Sequence, residues 1–167
     1  EIGVNPNIHW IVADDLENNK ELQKEILKMD GLIVPQGWGS RGAEGKIKAI
    51  QIARENKIPY LGLCYGMQMS VVEFCRNVVG IKDANSEEID TKSKNLVIHL
   101  MEYQKEILKH QNYGGTIRLG AWPCKIKKGS LLESLYKKYT NSLYNTLPVV
   151  MERHRHRYEF NTKYSSS

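Results

Sequence analysis

A chain of 167 residues that is 41% hydrophobic can bury a core of ordinary size but is short for two comfortable domains, so a single domain over residues 1–167 is expected. Its 24 Lys and Arg exceed its 19 Asp and Glu, giving a net charge of +5, yet the two signs are interleaved along most of the chain. That pattern reads as solvated surface rather than a nucleic-acid footprint. Because no apolar run approaches roughly 18 residues, nothing at the N-terminus resembles a signal peptide, and three widely spaced cysteines include no C-x-x-C pair, the expectation is a soluble cytoplasmic protein with no membrane span, disulfide framework or zinc site.

In chain order, Ile8-His9-Trp10-Ile11-Val12 predicts a strand, and Leu22, Ile26 and Met29 predict one face of a helix. Gly31-Leu32-Ile33-Val34 is the next strand, stopped by Pro35. The loop "VPQGWGSRGAEGK" follows, with Gly37, Gly39, Gly42 and Gly45, and opens a helix marked by Ile47, Ile50 and Ala53. Tyr60-Leu61-Gly62-Leu63 is a short strand, and beyond it Met67, Val71, Phe74, Cys75 and Val78 recur at helical spacing. Strands alternating with helices predict an α/β fold around a mostly parallel open sheet, with ligands gathered at the carboxyl ends of the strands. After residue 80, "KDANSEEIDTKSKN" reads as loop, "NLVIHLM" as strand and "EYQKEILKHQNY" as a charged segment of open state.

Cys64 falls where strand turns into helix, flanked symmetrically by Gly62 and Gly66. Glycines on both sides give room for a strained turn that presents a nucleophile, and the N–H groups at the start of the helix are expected to favour its thiolate. Cys75 is expected in the core and Cys124 near the start of a strand. The glycine loop should lie at the same sheet edge, where its N–H groups would serve an oxyanion. It matches neither G-x-x-x-x-G-K-[ST] nor a convincing first-strand G-x-G-x-x-G, so phosphate binding is the weaker alternative. "ERHRHRYEFN", residues 152–161, leaves three readings open: a basic patch, a catalytic histidine segment, or a strand. Strand alternation puts Arg153, Arg155 and Arg157 on one face and His154, His156 and Tyr158 on the other. A solvated charged strand and bidentate carboxylate recognition by an arginine stand side by side.

Four segments in this order, "GWGSRGAEGKIKAIQIARENKIPYLGLCYGMQ", "DANSEE", "GGTIRLGAWPC" and "ERHRHRYEFN", resemble the class I glutamine amidotransferase domain of the CTP synthase family. The C-x-G-x-Q elbow alone is shared by many class I amidotransferases, including that of GMP synthetase; the other three are specific. The likeness runs from about Gly31 to Asn161.

The resemblance implies a flavodoxin-like, mostly parallel open sheet flanked by helices. It implies a glutaminase in which a cysteine attacks the side-chain amide of L-glutamine, ammonia leaves, and water releases glutamate from the thioester. A separate synthetase domain would then use the ammonia, with ATP and Mg2+, to convert UTP to CTP. GTP would be an allosteric activator and the whole enzyme a homotetramer, with neither cofactor nor metal in this domain. Carried onto this chain, Cys64 is the nucleophile, Gly37 with the backbone of Tyr65 and Gly66 surrounds the oxyanion and substrate, and Gln68, Glu88 and Arg157 hold the amino-acid end of glutamine.

Three departures accompany the resemblance. Gln36 stands where the family usually has a glycine, and Tyr65 where it usually has a leucine. No His-x-Glu occurs, although the family carries its catalytic histidine and glutamate in a His-Pro-Glu segment downstream. The domain is therefore expected to be incomplete at both ends and to turn over glutamine poorly. The alternative functions are a non-catalytic amidotransferase-like module docking on a synthetase domain, or the amidotransferase domain of another class I enzyme such as GMP synthetase.

Overall fold

The structure, a computed structural model, describes residues 3–101, 104–105, 118–139 and 148–165. Its elements in chain order are α1 (Ala13–Leu16), α2 (Lys20–Ile26), β1 (Leu32–Val34), α3 (Ala43–Glu55), β2 (Tyr60–Gly62) and α4 (Tyr65–Phe74). They continue with β3 (Ala84–Ser86), β4 (Asn95–Leu100), β5 (Arg118–Lys125), α5 (Leu131–Tyr139), β6 (Val149–His156) and β7 (Tyr158–Phe160). They form two units: one takes the described residues up to Met101 and from Tyr158 onward, the other those from 104 to Arg157. Among the described residues no helix is long and apolar enough to cross a membrane.

In the first unit, β1 and β2 pair in parallel, Leu32 with Tyr60, Ile33 with Leu61 and Val34 with Gly62. Helix α3 connects them and buries Ile47, Ile50 and Ala53, as their spacing predicts. Its Ile47 and Ile50 enter a core with Val34, Tyr65, Met69, Val72, Val97 and Ile98, whereas Ala49 and Ile52 pack with Leu16 and Ile26. This helix is thus gripped by two apolar clusters on different faces. Helix α2 starts at Asn19, whose side-chain oxygen accepts the N–H groups of Glu21 and Leu22 at 3.0 and 3.2 Å. A second sheet has the order β3-β4-β7, parallel at β3–β4 and antiparallel at β4–β7.

Three expectations need correction here. Residues Ile8 to Val12 form no strand: they have no ladder partner among the described residues, and Trp10 is 87% exposed. An alternating apolar pattern needs a neighbouring strand to become β structure. Helix α4 forms, but it buries Tyr65, Met69, Val72 and two polar residues, Gln68 and Glu73, while Met67 and Phe74 stay substantially exposed; in the π-helical turn that follows, Cys75 is buried as expected and Val78 is not. The buried face was hidden because Glu73 is drawn inside by Arg54, whose Nε and Nη2 donate to its carboxylate at 2.9–3.0 Å. Finally, the polar stretch after residue 80 contains β3, with Ala84 and Ser86 fully buried.

In the second unit, β5 and β6 pair antiparallel from Arg118 opposite His156 to Lys125 opposite Val149. Strand β6 alternates as expected, with Arg153 and Arg155 exposed and His154 and His156 half-buried. It ends at His156, however, so Arg157 sits at a bend between β6 and β7 and does not extend the Arg153–Arg155 face. Cys124 lies near the end of β5 and not near the start of a strand as expected, because the strand begins at Arg118 and runs on through Pro123. Most of "EYQKEILKHQNY" and the first part of "GGTIRLGAWPC" fall outside the described residues.

Candidate active site

Strand β2 ends at Gly62 and α4 begins at Tyr65, leaving Cys64 at φ 52°, ψ −102°. Only Lys57 shares a positive φ with it among the described non-glycine residues. Such a backbone is strained for a residue with a Cβ and persists where its surroundings hold it. Here they do. Leu63 N–H donates to Val34 O at 3.0 Å, Gln68 N–H to Cys64 O at 3.1 Å, and the Tyr60 hydroxyl to Gly66 O at 2.8 Å. Both flanking glycines are required by close approach: a Cβ on Gly66 would lie 2.1 Å from Val34 O, and one on Gly62 would lie 2.7 Å from Met67 N. The elbow reading of Cys64 between two glycines therefore has a steric basis.

The helix N-terminus does favour the thiolate, as expected, but it does not set the direction of the net shift, which is upward. The Tyr65 N–H does donate to the thiol and lowers its pKa, but partial burial of the sulfur outweighs that contact and the Glu88 carboxylate adds to the upward push. Cys64 is nevertheless exposed as a residue, whereas Cys75 is buried with its thiol also pushed up by burial.

The glycine loop lies in the same unit and is tied down at several points. The Tyr65 hydroxyl donates to Gly39 O, and Gly39 N–H donates to Glu88 Oε1 at 3.3 Å. Lys46 Nζ donates to Arg41 O and Gly42 O at 3.4 and 3.5 Å and lies 5.6 Å from the Tyr65 ring centroid. Burial pushes the Lys46 ammonium down, opposed by Asp14. Among the described residues, the N–H groups of Gly37 and Trp38 donate to no protein acceptor, the state an oxyanion site requires. Gln36, where the resemblance leads one to expect a glycine, is exposed and has no positive φ.

The first unit thus contains Gly37, Cys64, Tyr65, Gly66, Gln68 and Glu88. Gln68 is buried; its Nε2 donates to Tyr158 O at 3.3 Å, and its Oε1 has no partner among the described residues. Arg157 belongs to the second unit. In that unit His154 Nδ1 lies 2.7 Å from His156 Nε2. Burial, then His156 and Arg118, push His154 below the usual histidine range. Among the described residues no group of three or more His, Cys, Asp or Glu is placed to hold a metal ion.

Sequence reasoning missed Tyr60, Lys46 and Glu87. Glu87 Oε2 accepts Leu100 N–H at 2.7 Å and so anchors the turn that carries Glu88. None of the three has a local motif; their roles come from partners distant in sequence.

A strained elbow at the carboxyl end of a parallel strand, facing a loop with spare N–H groups, is how α/β enzymes that form covalent intermediates present a nucleophile. Residues 1–167 match the class I glutamine amidotransferase family, and the chain belongs to it. It is similar to the CTP synthase of Carboxydothermus hydrogenoformans, 49% identical over 95% of this chain and 27% of that protein. It is likewise similar to the CTP synthase of Lactiplantibacillus plantarum, 53% identical over 92% of the chain and 26% of the relative. The chain therefore spans about a quarter of the length of these curated relatives. Among solved structures it resembles the glutaminase domain of Trypanosoma brucei CTPS with bound acivicin, with a TM-score of 0.83 and 40% identity, covering 98% of this chain and 58% of that one.

Proposed function

We propose that the chain is the glutaminase domain of a CTP synthase, hydrolysing L-glutamine through a thioester on Cys64. The thiolate sulfur adds to the carboxamide carbon, and the developing oxyanion accepts from the N–H groups of the Gly37 loop. The C–N bond breaks, ammonia leaves with a proton, and water then cleaves the acyl–sulfur bond to release glutamate and regenerate the thiol. Glu88 pairs with the substrate ammonium and Arg157 with its carboxylate, while Gln68 and the backbone of Tyr65 and Gly66 line the substrate. The ammonia serves amination of UTP to CTP in a synthetase domain that uses ATP and Mg2+, within a GTP-activated homotetramer.

The observation that carries this reading is the Cys64 elbow beside the Gly39–Glu88 contact. Identities near 50% to CTP synthases across almost the whole chain support it. The test is labelling by acivicin, a glutamine analogue, followed by mass mapping. Cys64 should be modified first and L-glutamine should protect it. Labelling of Cys75 or Cys124 ahead of Cys64, or a failure of glutamine to protect, contradicts the reading. Arg157→Ala should weaken that protection by about 1.5–3 kcal/mol, the loss of a charge-assisted contact, and Arg153→Ala by less.

A further inference from the structure

We propose that Tyr65 is a positioning residue of the glutamine site: its phenol holds the Gly39 carbonyl and thereby fixes the substrate-binding glycine loop against the nucleophile. This deepens the glutaminase reading and rests on it. Tyr65 is 1% exposed and is the residue next to Cys64. One residue therefore reaches both halves of the site: its N–H donates to the thiol and its hydroxyl donates to the loop. Its ring also supports Gly37, where an added Cβ would lie 3.5 Å from the ring edge.

Gly39, at φ 71°, is held at both of its polar groups, the carbonyl by Tyr65 and the N–H by Glu88. An ammonium arriving at Glu88 competes with the Gly39 N–H for the carboxylate, and the phenol on the Gly39 carbonyl is a second hold on the same residue. Burial first, then Glu88 and Glu44, push its hydroxyl up to about 12, so it remains a protonated donor. A leucine, the residue expected here from the resemblance, packs but cannot donate.

Tyr65→Phe keeps the buried ring and removes only the hydroxyl. In the 167-residue chain, two electrophiles separate its effects: iodoacetamide reports the reactivity of the thiol, and acivicin also requires the loop. The expected result is an iodoacetamide rate and pH profile at Cys64 like those of wild type. Acivicin labelling should be about five- to tenfold slower, the effect of one lost hydrogen bond. Amide exchange across residues 35–42 should be faster, with an unaltered cooperative melt. An unchanged ratio of acivicin to iodoacetamide rates overturns the proposal and leaves the glutaminase reading standing. Equal slowing with both reagents also overturns it, because the phenol would then act on the thiol. So does loss of the cooperative melt, which would make the hydroxyl a requirement of the core. If glutamine fails to protect the wild-type chain, the glutaminase reading and this proposal fall together.

Discussion

Replacing Gly66 by Ala would drive a methyl group into the backbone of β1. The new Cβ would lie 2.1 Å from Val34 O, 2.9 Å from Val34 C and 3.1 Å from Val34 Cβ, where real Cβ contacts essentially never close below 3.0 Å. The end of β1 and the start of α4 would have to part by close to an ångström. Neither can rotate away, because Val34 O already accepts Leu63 N–H and Gly66 O already accepts the Tyr60 hydroxyl. Overpacking of this kind costs about 1–3 kcal/mol, and a loosened hydrogen bond adds about 1 kcal/mol. The expected loss is about 2–4 kcal/mol, or a fall in melting temperature of roughly 10 °C for a chain of this size. Gly37→Ala is the control, since its Cβ would meet only the Tyr65 ring at an ordinary 3.5 Å. Its melt should move by less than about 2 °C. Thermal melts followed by circular dichroism compare the two variants with wild type. Melting temperatures for Gly66→Ala and Gly37→Ala that agree within about 2 °C would refute the close-approach argument.

Arg54→Leu should cost about 3 kcal/mol, the low end for breaking a buried pair, because Glu73 is 1% exposed while Arg54 is 33% exposed. Adding Glu73→Leu should restore most of that in urea melts, and a double variant no more stable than the single one would rule out the unpaired-charge explanation. Glu88→Gln removes a carboxylate that pushes the Cys64 thiol up. At any pH below the thiol titration more thiolate is then present, so alkylation by iodoacetamide should accelerate and its pH profile move to lower pH. Burial, the larger cause, remains, so the midpoint should stay above the ordinary thiol range; an unmoved profile would exclude Glu88 as a neighbour that matters.

What was legible in the chain was whatever local spacing carries. Strands β1 and β2, helix α3 and the Cys64 elbow each follow from a short run of apolar residues punctuated by glycine or proline. The family was legible because four separated segments agreed in order. Illegible features depended on distant partners. The buried face of α4 includes Gln68 and Glu73, and no apolar periodicity reveals that Arg54, on another helix, brings Glu73 inside. Ile8 to Val12 look like a strand, yet pairing is a property of two segments. The net direction of the Cys64 shift is illegible for the same reason: the helix N-terminus, which does favour the thiolate, is written locally, but burial and the charge of Glu88 are set by the fold.

The backbone angles of Cys64 also bear on how such a chain would change over generations. A non-glycine residue at φ 52°, ψ −102° costs about 1–3 kcal/mol, and glycine would relieve it. Cysteine is therefore not the residue that stability alone selects at this turn, and Cys64→Gly should raise the melting temperature if the lost side-chain packing is small. A lineage released from the need for a nucleophile would be free to drift toward glycine here, gaining robustness as it lost chemistry. The thiol at this position is thus a standing charge on the fold that only use of the sulfur can maintain.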